Sequence, residues 1–146
     1  HSLGNEIEKI LYSGHGTTDG SHLKQYVDQC LAGIDTGKYL YLAHPDLFLF
    51  NGDEAVFDRE YRRLCREVKK RNIPLEINFL GLMEERWYPN EKFWKIAGEE
   101  GNTAVFGCDA HTPKAVWNPE TEQKALQLAA KYGLKVQETV PMPKTF

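Results

Sequence analysis

The chain has 146 residues, of which 41% are hydrophobic, so it is long enough for one domain with an apolar core and too short to indicate two. Its 18 basic and 21 acidic residues leave a formal net charge of -3. The few basic runs, such as Arg62-Arg63 and residues 69–71, are typical of the solvated face of a helix, which disfavours nucleic acid or an anionic membrane as partner. No apolar run approaches the roughly 20 residues that span a bilayer, and no signal-peptide pattern opens the chain. We therefore expect a soluble, cytoplasmic protein.

The cysteines are few and widely spaced. Cys30, Cys65 and Cys108 form no C-x-x-C pair, which is the usual mark of a zinc knuckle or redox motif. An odd number of scattered cysteines also argues against a disulfide framework, so we predict buried, reduced thiols.

The first half of the chain predicts a loop-rich opening, then a helix, a strand and a second helix. The opening twenty residues are rich in Gly, Ser and Thr and indicate only loop. Apolar residues recur at helical spacing over 21–34, and a short apolar run over 39–43 predicts a strand. The apolar stripe of the next helix begins at Phe57, with Asp53 as its N-cap.

The second half of the chain continues this alternation. We predict strands over residues 75–79, 103–106 and 134–136. One helix starts at Asn90 and ends at Gly101, and another starts at Pro119 and ends before Gly133. Strict alternation with short connections predicts a parallel α/β sheet or barrel.

Side chains that bind metals stand directly after two of the predicted strands. His44 follows the strand over 39–43, and Asp109 and His111 follow the strand over 103–106. Ligand sites in parallel α/β folds lie at the carboxyl ends of the strands, so we expect these residues to share one rim. Carboxylate and imidazole together suit zinc, manganese or iron better than calcium.

The strand over 75–79 alternates polar with apolar residues. A strand covered on both faces should be continuously apolar, so the side chains of Glu76 and Asn78 need polar surroundings. For Glu76 these are either a functional site or a basic side chain across the barrel.

Two further polar residues have a structural and a functional interpretation. Asp46 either caps a turn or orients His44, and we favour the structural role. Arg86 lies in the loop after the Glu76 strand and forms either a salt bridge with Glu84 or Glu85, or a bidentate contact with phosphate.

We predict structural roles, not catalytic or binding roles, for the other histidines and the aromatic residues of these loops. His15 and His22 lie in a polar segment and are predicted to be surface or capping residues. Packing is also the predicted role of Trp87, Tyr88, Phe93 and Trp94.

Taken in order, these segments resemble the histidinol-phosphatase branch of the PHP (polymerase and histidinol phosphatase) family. The motifs are His44-Pro45-Asp46, Leu75-Glu76-Ile77-Asn78 with Gly81, Tyr88-Pro89-Asn90 and Gly107-Cys108-Asp109-Ala110-His111. Their order and spacing carry the resemblance, which extends over essentially the whole chain. It implies a distorted (β/α)7 barrel that is TIM-like, holds divalent metal ions at its carboxyl-end rim and hydrolyses phosphate monoesters.

The resemblance also implies roles for individual residues. His44, Asp109 and His111 match metal ligands, and Asp109 and His111 are the candidate catalytic residues. His1 matches a ligand that ends an earlier strand, provided that it is native and does not come from an expression tag.

Substrate contacts are expected at the same rim. Arg86 is similar in position to a loop arginine near the substrate phosphate, and Glu76 and Asn78 are further candidates. Met83 stands where the branch commonly has another arginine, and Cys108 replaces a usual serine. Met83 thus removes part of the expected phosphate contact.

The family's opening His-x-His pair does not occur in this sequence. Since a complete barrel of this type has roughly 250 residues, we expect this chain to be the C-terminal part of one. The resemblance implies hydrolysis of L-histidinol phosphate to L-histidinol and phosphate by the intact enzyme, with little or no activity in this chain. The alternatives are a phosphoesterase of another small monoester and a non-catalytic metal-binding or assembly fragment. Unpaired edges of such a partial barrel predict a homodimer.

Overall fold

Helices alternate with short parallel strands in a computed structural model that describes residues 2–107 and 119–137, with side chains from residue 6 onward. The helices are α1 Ser2–Ser13, α2 Gly20–Ile34, α3 Glu54–Lys70, α4 Phe79–Met83, α5 Glu91–Glu100 and α6 Pro119–Tyr132. The strands are β1 Leu75–Asn78, β2 Thr103–Gly107 and β3 Lys135–Val136.

The three strands form one parallel sheet in the order β1-β2-β3. Leu75 lies beside Ala104 and Asn78 beside Gly107, so β1 and β2 reach their carboxyl ends together. On the outer side of β1, a single parallel bridge joins Leu42 to Leu75. The fold is therefore a mixed helix and strand structure built on a small parallel sheet, as the alternating pattern predicted.

The helix ends follow the predicted capping residues. The Asp53 carboxylate accepts hydrogen bonds from the backbone N–H groups of Ala55 and Val56 at the start of α3. Asn90 caps α5, which ends at Gly101 with a left-handed φ of 76°. These boundaries are local properties of the sequence, so the pattern located them well.

Two predicted segments differ from the structure. The strand over 39–43 is wrong: Leu42 alone pairs with β1, and Tyr39 and Leu40 are 56% and 48% exposed. The loop-rich opening is also wrong, because α1 occupies residues 2–13 and buries Ile7 in the core. The Gly, Ser and Thr residues that suggested a loop are outweighed by apolar residues at helical spacing.

The core lies between the sheet and the helices packed on it. Its largest fully buried side chains include Trp94, Tyr61, Phe93 and Ile77, which confirms packing as the role of Phe93 and Trp94. Cys65 is a buried free thiol and Cys30 a half-buried one, whereas Cys108 lies outside the described residues. Among the described helices, none is long and apolar enough to cross a membrane.

Candidate functional site at the carboxyl end of the sheet

The carboxyl end of the sheet brings His44 next to Glu76. The backbone N–H of His44 donates a hydrogen bond of 2.9 Å to Glu76 Oε1. The parallel bridge between Leu42 and Leu75 brings the two segments together, so that His44 follows one residue beyond the level of Glu76. Two of the residues expected at the rim, 32 positions apart in the sequence, therefore meet.

The Glu76 carboxylate is 2% exposed and has partners inside the protein. Oε1 also accepts a 3.2 Å hydrogen bond from Asn78 Nδ2. Oε2 lies against Gly107, where a Cβ atom would overlap it and come within 2.9 Å of Glu76 Cδ. Glycine at the end of β2 thus leaves the space that the carboxylate fills. The polar surroundings predicted for the Glu76 side chain are those at the end of β2.

Asn78 ends β1 and begins the next helix. Its Oδ1 accepts a 3.2 Å hydrogen bond from the backbone N–H of Gly81, which caps α4. Its Nδ2 donates to Glu76, so both polar atoms of the Asn78 amide are hydrogen-bonded. The amide therefore fixes the Glu76 carboxylate relative to α4. This also explains why β1 stops one residue before the predicted end.

His44 adopts an unusual backbone conformation in the loop after the bridge. Its φ is 26°, in the left-handed region that non-glycine residues rarely occupy. The residue is half-buried, and its ring centroid lies 6.4 Å from that of Tyr88. Strained residues of this kind persist where the surrounding structure holds them, and they concentrate at functional sites.

Asp46 is a buried carboxylate with two strong donors. Its Oδ2 accepts a 2.6 Å hydrogen bond from the backbone N–H of Asn90 and a 2.9 Å bond from Trp94 Nε1. Burial raises the pKa of Asp46 to about 6, although these hydrogen bonds favour the charged form. Asp46 thus has a structural role other than the predicted turn cap: it ties the segment after His44 to the start of α5.

Arg86 lies in the loop between α4 and α5. Its guanidinium donates a 2.9 Å hydrogen bond to the Tyr88 hydroxyl and forms an ion pair with Glu84. The hydrogen bond with Tyr88, together with Glu84, raises the pKa of Arg86, so the group is positively charged. The salt-bridge alternative with Glu84 is confirmed, and the side chain is 39% exposed, which leaves it accessible to an anion.

The remaining predicted ligands are not placed. His1, Cys108, Asp109 and His111 lie outside the described residues, although β2 ends at Gly107, two positions before Asp109. Within residues 2–107 and 119–137, no three His, Cys, Asp or Glu side chains form a group that could hold a metal ion. Among the described residues, the backbone of His44 meets the Glu76 carboxylate. Imidazole and carboxylate are ligand types that zinc, manganese and iron accept, and a zinc site needs at least three protein ligands.

Of the histidines predicted to have surface or capping roles, His22 ties the start of α2 to α1. Its Nδ1 lies 2.8 Å from Thr17 Oγ1 and its Nε2 lies 3.0 Å from Glu6 Oε1. His15 is exposed.

Sequence reasoning missed the aromatic donors behind His44. Tyr26, Trp87 and Tyr61 each donate to a backbone carbonyl in residues 45–48. The available signal was Asp46 itself, a carboxylate beside the apolar run Leu47-Phe48, because a buried charge needs donors nearby.

No family model, curated protein or solved structure matched this chain in three comparisons with known proteins. Its function must therefore be inferred from its own residues and from the motifs that they form.

Proposed function

We propose that this chain belongs to a metal-dependent phosphate monoester hydrolase with L-histidinol phosphate as its favoured substrate. The observation that carries the proposal is the His44 to Glu76 hydrogen bond, which joins two of the motif-bearing segments at the carboxyl end of the sheet. The ordered motifs that resemble the PHP family support a distorted (β/α)7 barrel as the fold of this enzyme. The parallel sheet is compatible with that architecture.

The metal ligands in this proposal are His44, Asp109 and His111, with His1 as a fourth if it is native. Imidazole nitrogen and carboxylate oxygen suit zinc, manganese or iron. When bound, such an ion supplies positive charge to phosphoryl oxygens and acidity to a water molecule. Glu76 supports His44 by accepting the hydrogen bond from its backbone N–H.

Arg86 is the proposed phosphate contact. Its guanidinium is charged and 39% exposed, and its hydrogen bond to Tyr88 fixes its direction. A planar guanidinium can bind two phosphate oxygens at once and stabilise the charge that develops during hydrolysis. Glu76 and Asn78 complete the proposed substrate-binding set, since both lie at the same strand end.

Metal binding and phosphate release test the proposal. We expect the purified chain to bind Zn²⁺ or Mn²⁺ and to release little or no phosphate from histidinol phosphate, well below the rate of a complete barrel enzyme. His44→Ala and Asp109→Ala should each lower the metal content, because each removes a ligand. His15→Ala is the matched control, since His15 is an exposed histidine outside the rim, and should leave the metal content unchanged.

Each possible result of these measurements contradicts one part of the proposal or favours one alternative. Unchanged metal content in both ligand variants would contradict the metal site. Faster hydrolysis of a generic monoester than of histidinol phosphate would contradict the proposed substrate, since fold and metal do not determine it. Metal binding with no affinity for histidinol phosphate would favour the non-catalytic metal-binding or assembly fragment, and turnover comparable with a complete enzyme would contradict the expected low activity.

A further inference from the structure

The segment that follows His44, residues 45–48, has no regular secondary structure, yet its backbone is firmly held. The Tyr26 hydroxyl on α2 donates a 2.7 Å hydrogen bond to Pro45 O, and Trp87 Nε1 donates a 2.7 Å bond to Leu47 O. Buried carbonyls of an irregular segment need such partners, because water does not reach them.

The next carbonyl has its own aromatic donor. The Tyr61 hydroxyl on α3 donates a 2.6 Å hydrogen bond to the Phe48 carbonyl. Donors from α2, α3 and the loop before α5 thus act on three carbonyls within four residues. The loop that presents His44 is therefore rigid, which is what a left-handed φ at a non-glycine residue requires.

The side chain of Asp46 connects the segment 45–48 to the start of α5. It is 2% exposed, and its Oδ2 accepts hydrogen bonds from Asn90 N at 2.6 Å and Trp94 Nε1 at 2.9 Å. Both donors belong to the start of α5, since Asn90 is the N-cap residue of that helix. Charge-assisted hydrogen bonds of this length are among the stronger ones in proteins.

The start of α5 is in turn connected to Arg86. Asn90 comes two residues after Tyr88, whose hydroxyl accepts the Arg86 hydrogen bond and whose ring faces that of His44. The contacts therefore form a closed series: His44 is two residues before Asp46, Asp46 bonds Asn90, and Tyr88 lies two residues before Asn90 with its ring near that of His44. Asp46 joins the segment after His44 to the α5 cap itself, and the Trp87 side chain joins the same segment to the loop before α5.

We propose that Asp46 is a positioning residue that fixes the separation of His44 and Arg86 by holding the α5 cap against the segment after His44. This inference rests on the proposed function only for the roles of those two side chains as metal ligand and phosphate contact. Asp46 itself does not reach a reacting group in this assignment.

Asp46→Ala and Asp46→Asn test the proposal in the full chain. The alanine variant removes the acceptor, so we expect the NMR signals of the His44 ring and of Arg86 Nε–H to shift and the Zn²⁺ affinity to fall about tenfold or more. The asparagine variant keeps an oxygen acceptor without the charge, and should retain most of the wild-type signals and affinity.

Two further variants separate positioning from simple loss of stability. Asn102→Ala removes another buried hydrogen bond, from Asn102 Nδ2 to Cys65 O at 2.9 Å, at the opposite end of β2. It should lower stability while leaving the His44 and Arg86 signals in place. Trp94→Phe removes only one of the two Asp46 donors and should give smaller shifts of the same kind, which keeps the test usable if Asp46→Ala does not fold.

Unchanged His44 and Arg86 signals in folded Asp46→Ala would overturn the proposal, as would equal changes in Asn102→Ala. Asp46→Asn behaving like Asp46→Ala would also overturn it, because the hydrogen bonds would then not be the cause. If the wild-type chain neither binds metal nor hydrolyses phosphate esters, the proposed function fails, while the NMR signals still decide the positioning role.

Discussion

Glu76 illustrates how one residue of this sequence depends on several others for its place. A buried carboxylate is costly unless donors surround it, and here the donors are the backbone N–H of His44 and the side chain of Asn78. The alternation of polar and apolar residues in β1 predicted that the Glu76 side chain needs polar surroundings. It could not identify the donors, because His44 lies 32 residues away along the chain.

Gly107→Ala tests the packing of the Glu76 carboxylate, because it adds a single carbon atom beside that group. The new Cβ would overlap Glu76 Oε2, so the carboxylate or the end of β2 must move, and we expect a loss of about 1–3 kcal/mol in the free energy of unfolding. Urea denaturation measures it. The Zn²⁺ affinity should fall as well, since Glu76 holds the backbone of His44.

Gly33→Ala is the matched control for that substitution. Gly33 lies inside α2, and its added Cβ would meet no atom within 4 Å. Alanine is the better helix former, so we expect a gain of about 0.5–1 kcal/mol in stability. Equal stability of Gly107→Ala and the wild type would show that the space beside Glu76 is not tightly filled.

At the scale of elements, helices α2, α3, α5 and α6 were predictable, whereas α1, α4 and the strand over 39–43 were not. Helix periodicity and the caps at Asp53 and Asn90 depend on neighbours in the sequence. The apolar run over 39–43 has the composition of a strand, but strand pairing is decided by distant residues, and only Leu42 reaches β1.

Helices α3 and α5 are joined by a cluster of ion pairs centred on Arg62. Its guanidinium bonds Asp58 at 2.8 Å, Glu99 at 2.8 Å and Glu100 at 2.7 Å. The hydrogen bond from Arg62 lowers the pKa of Asp58 below its usual value of 3.8. Hydrogen bonds from Arg66 and Arg62 lower that of Glu100 below 4.5.

Arg62→Met should destabilise the protein by about 1 kcal/mol at pH 7, because it removes these pairs and keeps the apolar stem. Carboxylates with a lowered pKa stabilise the fold above their usual pKa, and this stabilisation is lost as the pH falls through the lowered value. The difference between wild type and variant should therefore shrink as the pH falls below about 4. Thermal or urea unfolding between pH 7 and pH 3 measures it.

Lys95→Met serves as the control, because Lys95 is an exposed residue of α5. Its stability should follow that of the wild type across the same pH range. A difference between Arg62→Met and the wild type that stays constant from pH 7 to pH 3 would contradict the assignment of the stabilisation to this cluster.

At the scale of the whole molecule, the sheet has an outer edge with little pairing. Among the described residues, β1 is bridged on its outer side at Leu42 alone, and the neighbouring Tyr39 and Leu40 are exposed. Unpaired strand edges beside exposed apolar residues promote association. We propose this edge as the contact surface of the homodimer expected from the sequence.

We expect a concentration-dependent dimer in analytical ultracentrifugation, weakened by Leu40→Lys, which places a charge beside that edge. Leu126→Lys is the matched control, since Leu126 is 45% exposed on α6 and Leu40 is 48% exposed. A monomer at every concentration, or equal weakening by both variants, would contradict association through this edge.

By itself the sequence determined the alternation of helices with parallel strands, the caps that end the helices, and the residue types gathered after the strands. These features depend on spacing and on local backbone hydrogen bonds, which are readable along the chain. Only the tertiary structure decided that His44 rests on Glu76, that Gly107 leaves room for the carboxylate, and that Asp46 joins His44 to the start of α5. Those contacts join residues up to 48 positions apart, and their geometry depends on how the whole chain packs.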